Sequence, residues 1–146
     1  MKKTSHLLLT GLVAALVLIC SCKKDSKKSN SQFLTQKNWI QLKSEERINN
    51  GVYVDDFPNW DACDKDDIFK FLSNNTYSFE EGASKCNAAD PQVIGTGIWT
   101  FAQNETQLSI GVTVFNIDQL DDNTLVLSTM QSFGGDTYYY RDTYGH

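Results

Sequence analysis

The chain has four cysteines and two histidines, and these residues limit the covalent chemistry that is open to it. His6 lies in the apolar N-terminal segment, and His146 is the last residue. With no imidazole between them, the usual Ser-His and Cys-His nucleophile pairs and histidine-based metal sites are not expected. No G-x-S-x-G elbow, P-loop or dinucleotide fingerprint occurs. The sequence therefore predicts a protein that is not an enzyme and uses no cofactor.

Carboxylates offer the one remaining catalytic hypothesis, a hydrolase that works with two acids. The adjacent pair Glu80 and Glu81 falls on a predicted strand, where neighbouring side chains point to opposite faces. That pair is poorly placed for a glycosidase mechanism. A carboxylate-dependent hydrolase is kept as the third functional hypothesis.

A second set of carboxylates lies in an irregular segment that contains Pro58. An EF-hand loop would need ligands at alternate positions, but Ile68 takes the third of these when counting starts at Asp64. We therefore interpret the segment as a solvated acidic loop and predict no metal site, with an irregular calcium site as the alternative. Its acidic residues are Asp55, Asp56, Asp61, Asp64, Asp66 and Asp67.

The first 21 residues have the layout of a secretory signal peptide. A basic start is followed by an apolar run over 7–19, which is shorter than a membrane span requires, and then by Ile19-Cys20-Ser21-Cys22. The end of this segment resembles the bacterial lipoprotein lipobox. The resemblance implies cleavage before Cys22 and attachment of diacylglycerol to its sulfur, whereas bulky Ile19 makes Cys20 a poorer acceptor. An ordinary signal peptide or a single anchor helix are the alternatives.

This interpretation divides the chain into a signal peptide (1–21), a lipidated flexible linker (22–31) and a folded domain (32–146). It predicts a protein of the cell envelope, held at the outer membrane by its lipid. The chain carries 13 basic and 18 acidic residues, and loss of Lys2 and Lys3 with the signal would make it more acidic. Nucleic acid is therefore excluded as a partner, because binding it requires Lys and Arg against the phosphates.

Cys63 and Cys86 are the pair that remains once Cys20 is removed and Cys22 is lipidated. They flank two strand-like segments, Ile68 to Leu72 and Thr76 to Glu80, which are joined by a turn containing Asn75. A hairpin would bring the two cysteines together, and an oxidising compartment favours a disulfide over two free thiols. Such a bridge would close a loop of about 24 residues and stabilise the domain by roughly 3 kcal/mol.

Short strand-like segments continue to the end of the chain. They cover 97–102, 107–110, 112–117, 124–129 and 137–141, with turn residues between them. This spacing is typical of an antiparallel β-barrel or β-sandwich. The fold class is therefore predicted as all-β.

Several of these features together resemble the small lipocalin-like lipoproteins of Bacteroidota-type bacteria. The resemblance rests on Trp39 at the first strand, the Cys63–hairpin–Cys86 series, and Gly97-Ile98-Trp99, and it extends over about 33–141. It implies an up-and-down barrel of about eight strands that holds a small hydrophobic ligand. The lipocalin Gly-x-Trp motif belongs to the first strand, where this chain has Lys37-Asn38-Trp39.

The resemblance also implies roles for individual residues. Arg141, near the last strand, is expected to lie over the ring of Trp39 and close one end of the barrel by a cation–π contact. Candidate cavity residues are Phe69, Phe71, Tyr77, Phe79, Trp99 and Phe101. The second functional hypothesis is a barrel filled by its own side chains, which would bind a protein or glycan at the cell surface.

Overall fold

The computed structural model describes residues 27–146, and all nine of its strands belong to one antiparallel sheet. A short helix, α1 (Asn30–Thr35), precedes the first strand, and a 3₁₀ turn (Phe57–Asn59) follows the second strand. The strands are β1 (Trp39–Ile48), β2 (Val54–Asp55), β3 (Ile68–Phe71), β4 (Thr76–Glu80), β5 (Val93–Ala102), β6 (Gln107–Ile110), β7 (Thr113–Leu120), β8 (Leu125–Phe133) and β9 (Asp136–Gly145).

The sheet closes into a barrel because β1 pairs with both β3 and β9. From β3 to β9 each strand pairs with the next one along the chain, and the long β1–β9 ladder runs from Ile40↔Gly145 to Ile48↔Tyr138. β2 lies outside this ring and pairs only with β1. The predicted up-and-down barrel of eight strands is confirmed, with β2 as an additional strand.

The barrel wall is incomplete on one side. β1 pairs with β3 through only two residue pairs, Trp39↔Phe69 and Ile40↔Ile68. Beyond Ile40, β1 continues without β3, and β2 pairs with it further along, at Glu45 and Glu46. The segment 56–67, which joins β2 to β3, therefore runs beside the part of β1 that lacks a β3 neighbour.

The core fills the end of the barrel at which β1 begins. Alternate residues of the strands point inward there, as a pleated sheet requires, and α1 adds Leu34 to them. Trp39 and Leu34 are completely buried, and the indole Nε1–H of Trp39 donates to the Leu34 carbonyl at 2.9 Å. The buried core consists of Leu34, Trp39, Phe71, Trp99, Leu108, Leu125 and Leu127.

Helix α1 is short but well capped. The Ser29 side chain accepts a hydrogen bond from the Gln32 backbone N–H, while the Gln32 side chain accepts one from the Ser29 backbone. This capping box satisfies helix donors that would otherwise be unpaired. Lys28 also bonds to Asp122, so the fold begins slightly before the predicted domain boundary at residue 32.

Most predicted elements are present, although several strands are longer than their local patterns indicated. β5 begins at Val93, four residues before the predicted segment 97–102, and the burial of its residues alternates from Ile94 to Thr100. The predicted turns do contain residues with positive φ, at Asn75 (66°), Gly111 (59°) and Gly134 (63°). The predicted signal peptide and Cys22 lie outside the described residues. Within 27–146, no helix has the length and apolar character needed to cross a membrane.

We expect Leu34→Ala to lower the free energy of unfolding by about 2–4 kcal/mol, because the variant leaves a cavity beneath Trp39. Urea unfolding followed by circular dichroism measures the loss. Ile98→Ala is the control, since Ile98 is 64% exposed on the outer face and should cost at most about 1 kcal/mol. Equal losses for the two variants would contradict the role assigned to α1.

Candidate functional site

A cavity of about 840 Å³ lies in the barrel on the side where the wall is incomplete. Its walls come from β1, β3, β4, β5 and β9, and the segment 56–67 forms its rim. The cavity opens to solvent. The lining residues are Trp39, Gln41, Asn59, Trp60, Asp61, Asp64, Asp67, Phe69, Tyr77, Phe79, Gly95 and Tyr144.

Aromatic rings make up most of the cavity wall. Phe69 is central, with its ring centroid 5.4 Å from Tyr77, 5.6 Å from Phe79 and 6.4 Å from Tyr144, each in an edge-to-face arrangement. Such contacts fix the rings relative to one another. The wall is therefore a preformed apolar surface that an apolar molecule could cover without displacing protein side chains.

The candidate cavity residues separate into two groups. Phe69, Tyr77 and Phe79 line the cavity. Phe71 and Trp99 do not, because they lie deeper in the core, 2% exposed each, and pack edge-to-face against one another at 6.2 Å. Phe101 packs against Trp99 at 5.4 Å and also belongs to the core. The prediction that these three line a cavity is wrong, since α1 fills the end of the barrel that they occupy.

Two glycines of β5 determine how much of the cavity is empty. A Cβ at Gly97 would lie 2.8 Å from the Tyr77 ring, so Tyr77 lies flat over this position. A Cβ at Gly95 would meet nothing within 4 Å, although Gly95 pairs with Phe79 and lines the cavity. The space opposite Phe79 therefore exists because residue 95 has no side chain.

The acidic segment predicted as a solvated loop forms the cavity rim. It contributes Asn59, Trp60, Asp61, Asp64 and Asp67 to the lining. Sequence patterns did not identify this role, since the segment has no strand alternation that would place it beside the barrel interior. Trp60 was the one available signal, because a large aromatic residue in an acidic loop usually packs against something.

The rim segment is fastened to the 81–92 loop by three features. The Cys63–Cys86 disulfide joins the two loops with a Cα–Cα distance of 5.2 Å, which confirms the predicted bridge. The Asp66 carboxylate accepts 2.9 Å hydrogen bonds from the Ser84 backbone N–H and hydroxyl. Gly82 lies so close to the Asp66 carbonyl that a Cβ there would be 2.0 Å from its oxygen. The loops therefore pack backbone to backbone.

Asp67 is a rim carboxylate that is partly removed from solvent. Its Oδ1 atom is buried and has no hydrogen-bond partner. Desolvation, followed by the negative charge of Glu81 and to a smaller extent those of Asp64 and Asp66, raises the pKa of the Asp67 carboxyl, while a hydrogen bond from the Gly82 backbone N–H lowers it in part. These effects make the negatively charged form costly unless a positive charge approaches it.

A polar cluster lies behind the aromatic wall. The largely buried Asp142 carboxylate accepts hydrogen bonds from the Ser44 hydroxyl at 2.8 Å and from the Gln41 amide at 3.0 Å. Burial raises the pKa of Asp142, while these two hydrogen bonds lower it to a smaller extent. Burial, with Asp142 as a minor cause, also raises the pKa of Tyr144. The cluster holds Gln41 in place at the cavity surface.

Arg141 does not reach Trp39. It pairs with Glu45 across the β1–β9 ladder, six residues along β1 from Trp39, or about 20 Å at the rise of a strand. Its Nε donates to Glu45 at 2.8 Å and its guanidinium lies 4.2 Å from the Tyr53 ring centroid. The His146 ring, 4.2 Å away, instead covers Trp39. The predicted cation–π pair is wrong because Arg141 neighbours inward-facing Asp142 and so faces outward.

Among residues 27–146, one cluster has metal-ligand residue types, Cys63, Asp64 and Cys86. Both sulfurs of this cluster are used in the disulfide. No protein-family model matches the chain, and no curated protein shows significant similarity to it. The resemblance to lipocalin-like lipoproteins therefore stays a prediction.

We expect Cys63→Ser combined with Cys86→Ser to lower the free energy of unfolding by about 2–4 kcal/mol, because the unfolded chain gains freedom. Denaturant unfolding with and without reductant measures this. Reductant should destabilise the original protein to the level of the double variant and leave the variant unchanged. If neither treatment alters stability, the disulfide does not fasten the rim.

Because the pKa of Asp142 is raised, we expect Asp142→Asn to increase the stability of the folded protein in a pH-dependent way. The unfolded chain ionises this carboxyl at lower pH than the folded protein does, so ionisation destabilises the fold as pH rises above about 3.9. The amide removes that cost and keeps one oxygen acceptor. Thermal unfolding should show the variant more stable at pH 7, with the difference vanishing near pH 3. Exposed Asp56→Asn is the control, and a lower stability of Asp142→Asn at pH 7 would contradict the prediction.

Proposed function

We propose that this protein is a non-enzymatic binding protein of the cell envelope, anchored by a lipid on Cys22, whose lipocalin-like barrel holds a small hydrophobic ligand. The observation that carries the proposal is the aromatic cavity of about 840 Å³. Its volume lies within the range of roughly 300–1,000 Å³ that is common for small-molecule sites.

The cavity wall supports a ligand with a flat or elongated apolar body. Phe69, Tyr77, Phe79 and Tyr144 face the same space from three strands, β3, β4 and β9. Covering that surface would remove it from water, which favours binding by about 25 cal/mol for each Å² of apolar surface. A barrel filled by its own side chains would leave no empty space beside these rings, whereas a Cβ at Gly95 would meet nothing within 4 Å.

The envelope location is supported by the N-terminal sequence and by the disulfide. The basic start, apolar run and Cys22 fit an exported lipoprotein. The Cys63–Cys86 bridge is typical of proteins that fold in an oxidising compartment. In this proposal the membrane is a partner through the lipid alone, and the outer membrane is the expected location.

A carboxylate-dependent hydrolase is the second candidate function. The observation that favours it is Asp67, a carboxylate with a raised pKa in the same cavity as Asp61 and Asp64. A carboxyl with a raised pKa can act as a general acid while a neighbour with a lower pKa stays ionised. This candidate ranks second because the three carboxylates occupy the rim, whereas most of the wall is apolar.

Native mass spectrometry and uptake of the neutral fluorophore N-phenyl-1-naphthylamine test the proposal. The purified protein should carry or take up an apolar molecule. Gly95→Phe should weaken fluorophore binding at least tenfold, because its ring would fill the open space opposite Phe79. Thr96→Phe is the matched control, since it adds the same ring to the exposed neighbouring position of β5.

Equal binding by all three proteins, or none by the original protein, would contradict a ligand site in the barrel. Release of the bound molecule in unchanged form supports a carrier. Release of a hydrolysed product, lost in Asp67→Asn, would instead support the hydrolase.

A further inference from the structure

The charged residues that line the cavity are all acidic. They are Asp61, Asp64 and Asp67, and within the described part of the chain no Lys, Arg or His lines the cavity with them. A site for a neutral lipid would not need charged residues at its opening. The carboxylates at this opening would repel the carboxylate of a fatty acid. The sign of the rim charge is therefore information about the ligand.

The rim carboxylates lack protein cations as partners in the described part of the chain. Lys65 belongs to the same segment, but its Nζ donates to the Pro58 carbonyl at 2.8 Å and lies 5.9 Å from the Phe57 ring centroid. The described ion pairs involve other acids: Lys28–Asp122, Lys43–Glu45, Lys70–Glu80 and Arg141–Glu45. The negative charge at the rim is thus available to a molecule that enters the cavity.

Asp67 provides an independent indication. Its Oδ1 atom is buried without a hydrogen-bond partner, although the same side chain lines the cavity. A buried carboxylate oxygen normally accepts a hydrogen bond, and leaving it unpaired costs free energy. A positive charge in the cavity beside this side chain would stabilise its ionised form.

Aromatic rings stand beside these carboxylates. Trp60 is the residue before Asp61, and its ring is held against Phe57 at a centroid distance of 5.5 Å. Trp39 and Tyr77 complete the nearby wall. Aromatic faces attract ammonium groups, and combining them with carboxylates is a common way to recognise organic cations.

We propose that the ligand is a cationic amphiphile, with its apolar body against the aromatic wall and its ammonium group at the acidic rim that Asp61, Asp64 and Asp67 form. This inference rests on the proposed function, because it specifies the head group of a ligand that the barrel must first be able to hold. A protonated amine would also donate a hydrogen bond to Asp67, which a quaternary ammonium could not do.

Three probes with the same ten-carbon chain separate charge from apolarity: decylammonium, decanol and decanoate. Displacement of N-phenyl-1-naphthylamine from the purified full chain measures their dissociation constants, and Gly95→Phe subtracts binding outside the cavity. We expect decylammonium to bind at least tenfold more tightly than decanol, and decanoate to bind most weakly. Raising the salt concentration should weaken decylammonium selectively.

The combined variant Asp64→Asn and Asp67→Asn should reduce the preference for decylammonium over decanol, the ratio of the two dissociation constants, at least fivefold. Asp56→Asn is the control. It removes a carboxylate that belongs to the same 56–67 segment but does not line this cavity, so it should leave the preference intact. Circular dichroism checks that each variant is folded. A fourth probe, Ca²⁺, tests whether the rim carboxylates bind a metal ion instead.

Equal binding of the three amphiphiles by the original protein would contradict the proposed preference for a cationic head group. The barrel would then remain a site for apolar molecules of any charge. Binding of none of them, with no displacement of the fluorophore, would overturn the proposed function itself. Tight Ca²⁺ binding that is lost in the combined variant, without any preference for decylammonium, would replace the amphiphile with a metal ion.

Discussion

Closure of the sheet through β1 is the constraint on which the other features of this protein depend. β1 forms a long ladder with β9 but only two residue pairs with β3. The long ladder makes the sheet a barrel, and the short one leaves a side of it without a strand. Because unpaired backbone and exposed rings would be costly there, another part of the chain has to lie beside the opening. The segment 56–67 does so, and the cavity is the space left between that segment and the strands.

The same molecule combines a filled end with an empty one. Where β1 begins, Trp39, Leu34 and the Phe71–Trp99 pair occupy the interior completely. Further along, glycine at position 95 and the gap beside β3 leave room next to Phe69 and Phe79. A barrel of this size is usually filled by side chains or holds one small ligand. In this barrel, one end is filled by side chains and the other contains the cavity. The filled end can therefore support the aromatic wall of the open end.

The pKa shifts of three carboxyl groups that are wholly or partly removed from solvent depend on the partners that each one has. Glu45 is buried on the outer face, and its hydrogen bond with Arg141 lowers the pKa of its carboxyl. Asp142 has only neutral partners, Ser44 and Gln41, so burial raises the pKa of its carboxyl. Asp67 lacks a partner at Oδ1 and faces other carboxylates. Compensated charge thus lies outside the barrel and uncompensated charge lies at the cavity, which is where a ligand would be able to compensate it.

The sequence by itself determined the elements that depend on neighbours in the chain. The alternating aromatic residues of the β3–β4 hairpin, the turn at Asn75 and the spacing of later strands predicted an all-β barrel, and the even number of remaining cysteines predicted Cys63–Cys86. Only the tertiary structure decided which aromatic residues line the cavity, that Trp60 and Tyr144 join them, and that Arg141 faces away from Trp39. These outcomes depend on strand register and on where α1 and the rim segment pack. A shift of one residue reverses every side chain of a strand, and no local pattern records which end of a barrel another segment will fill.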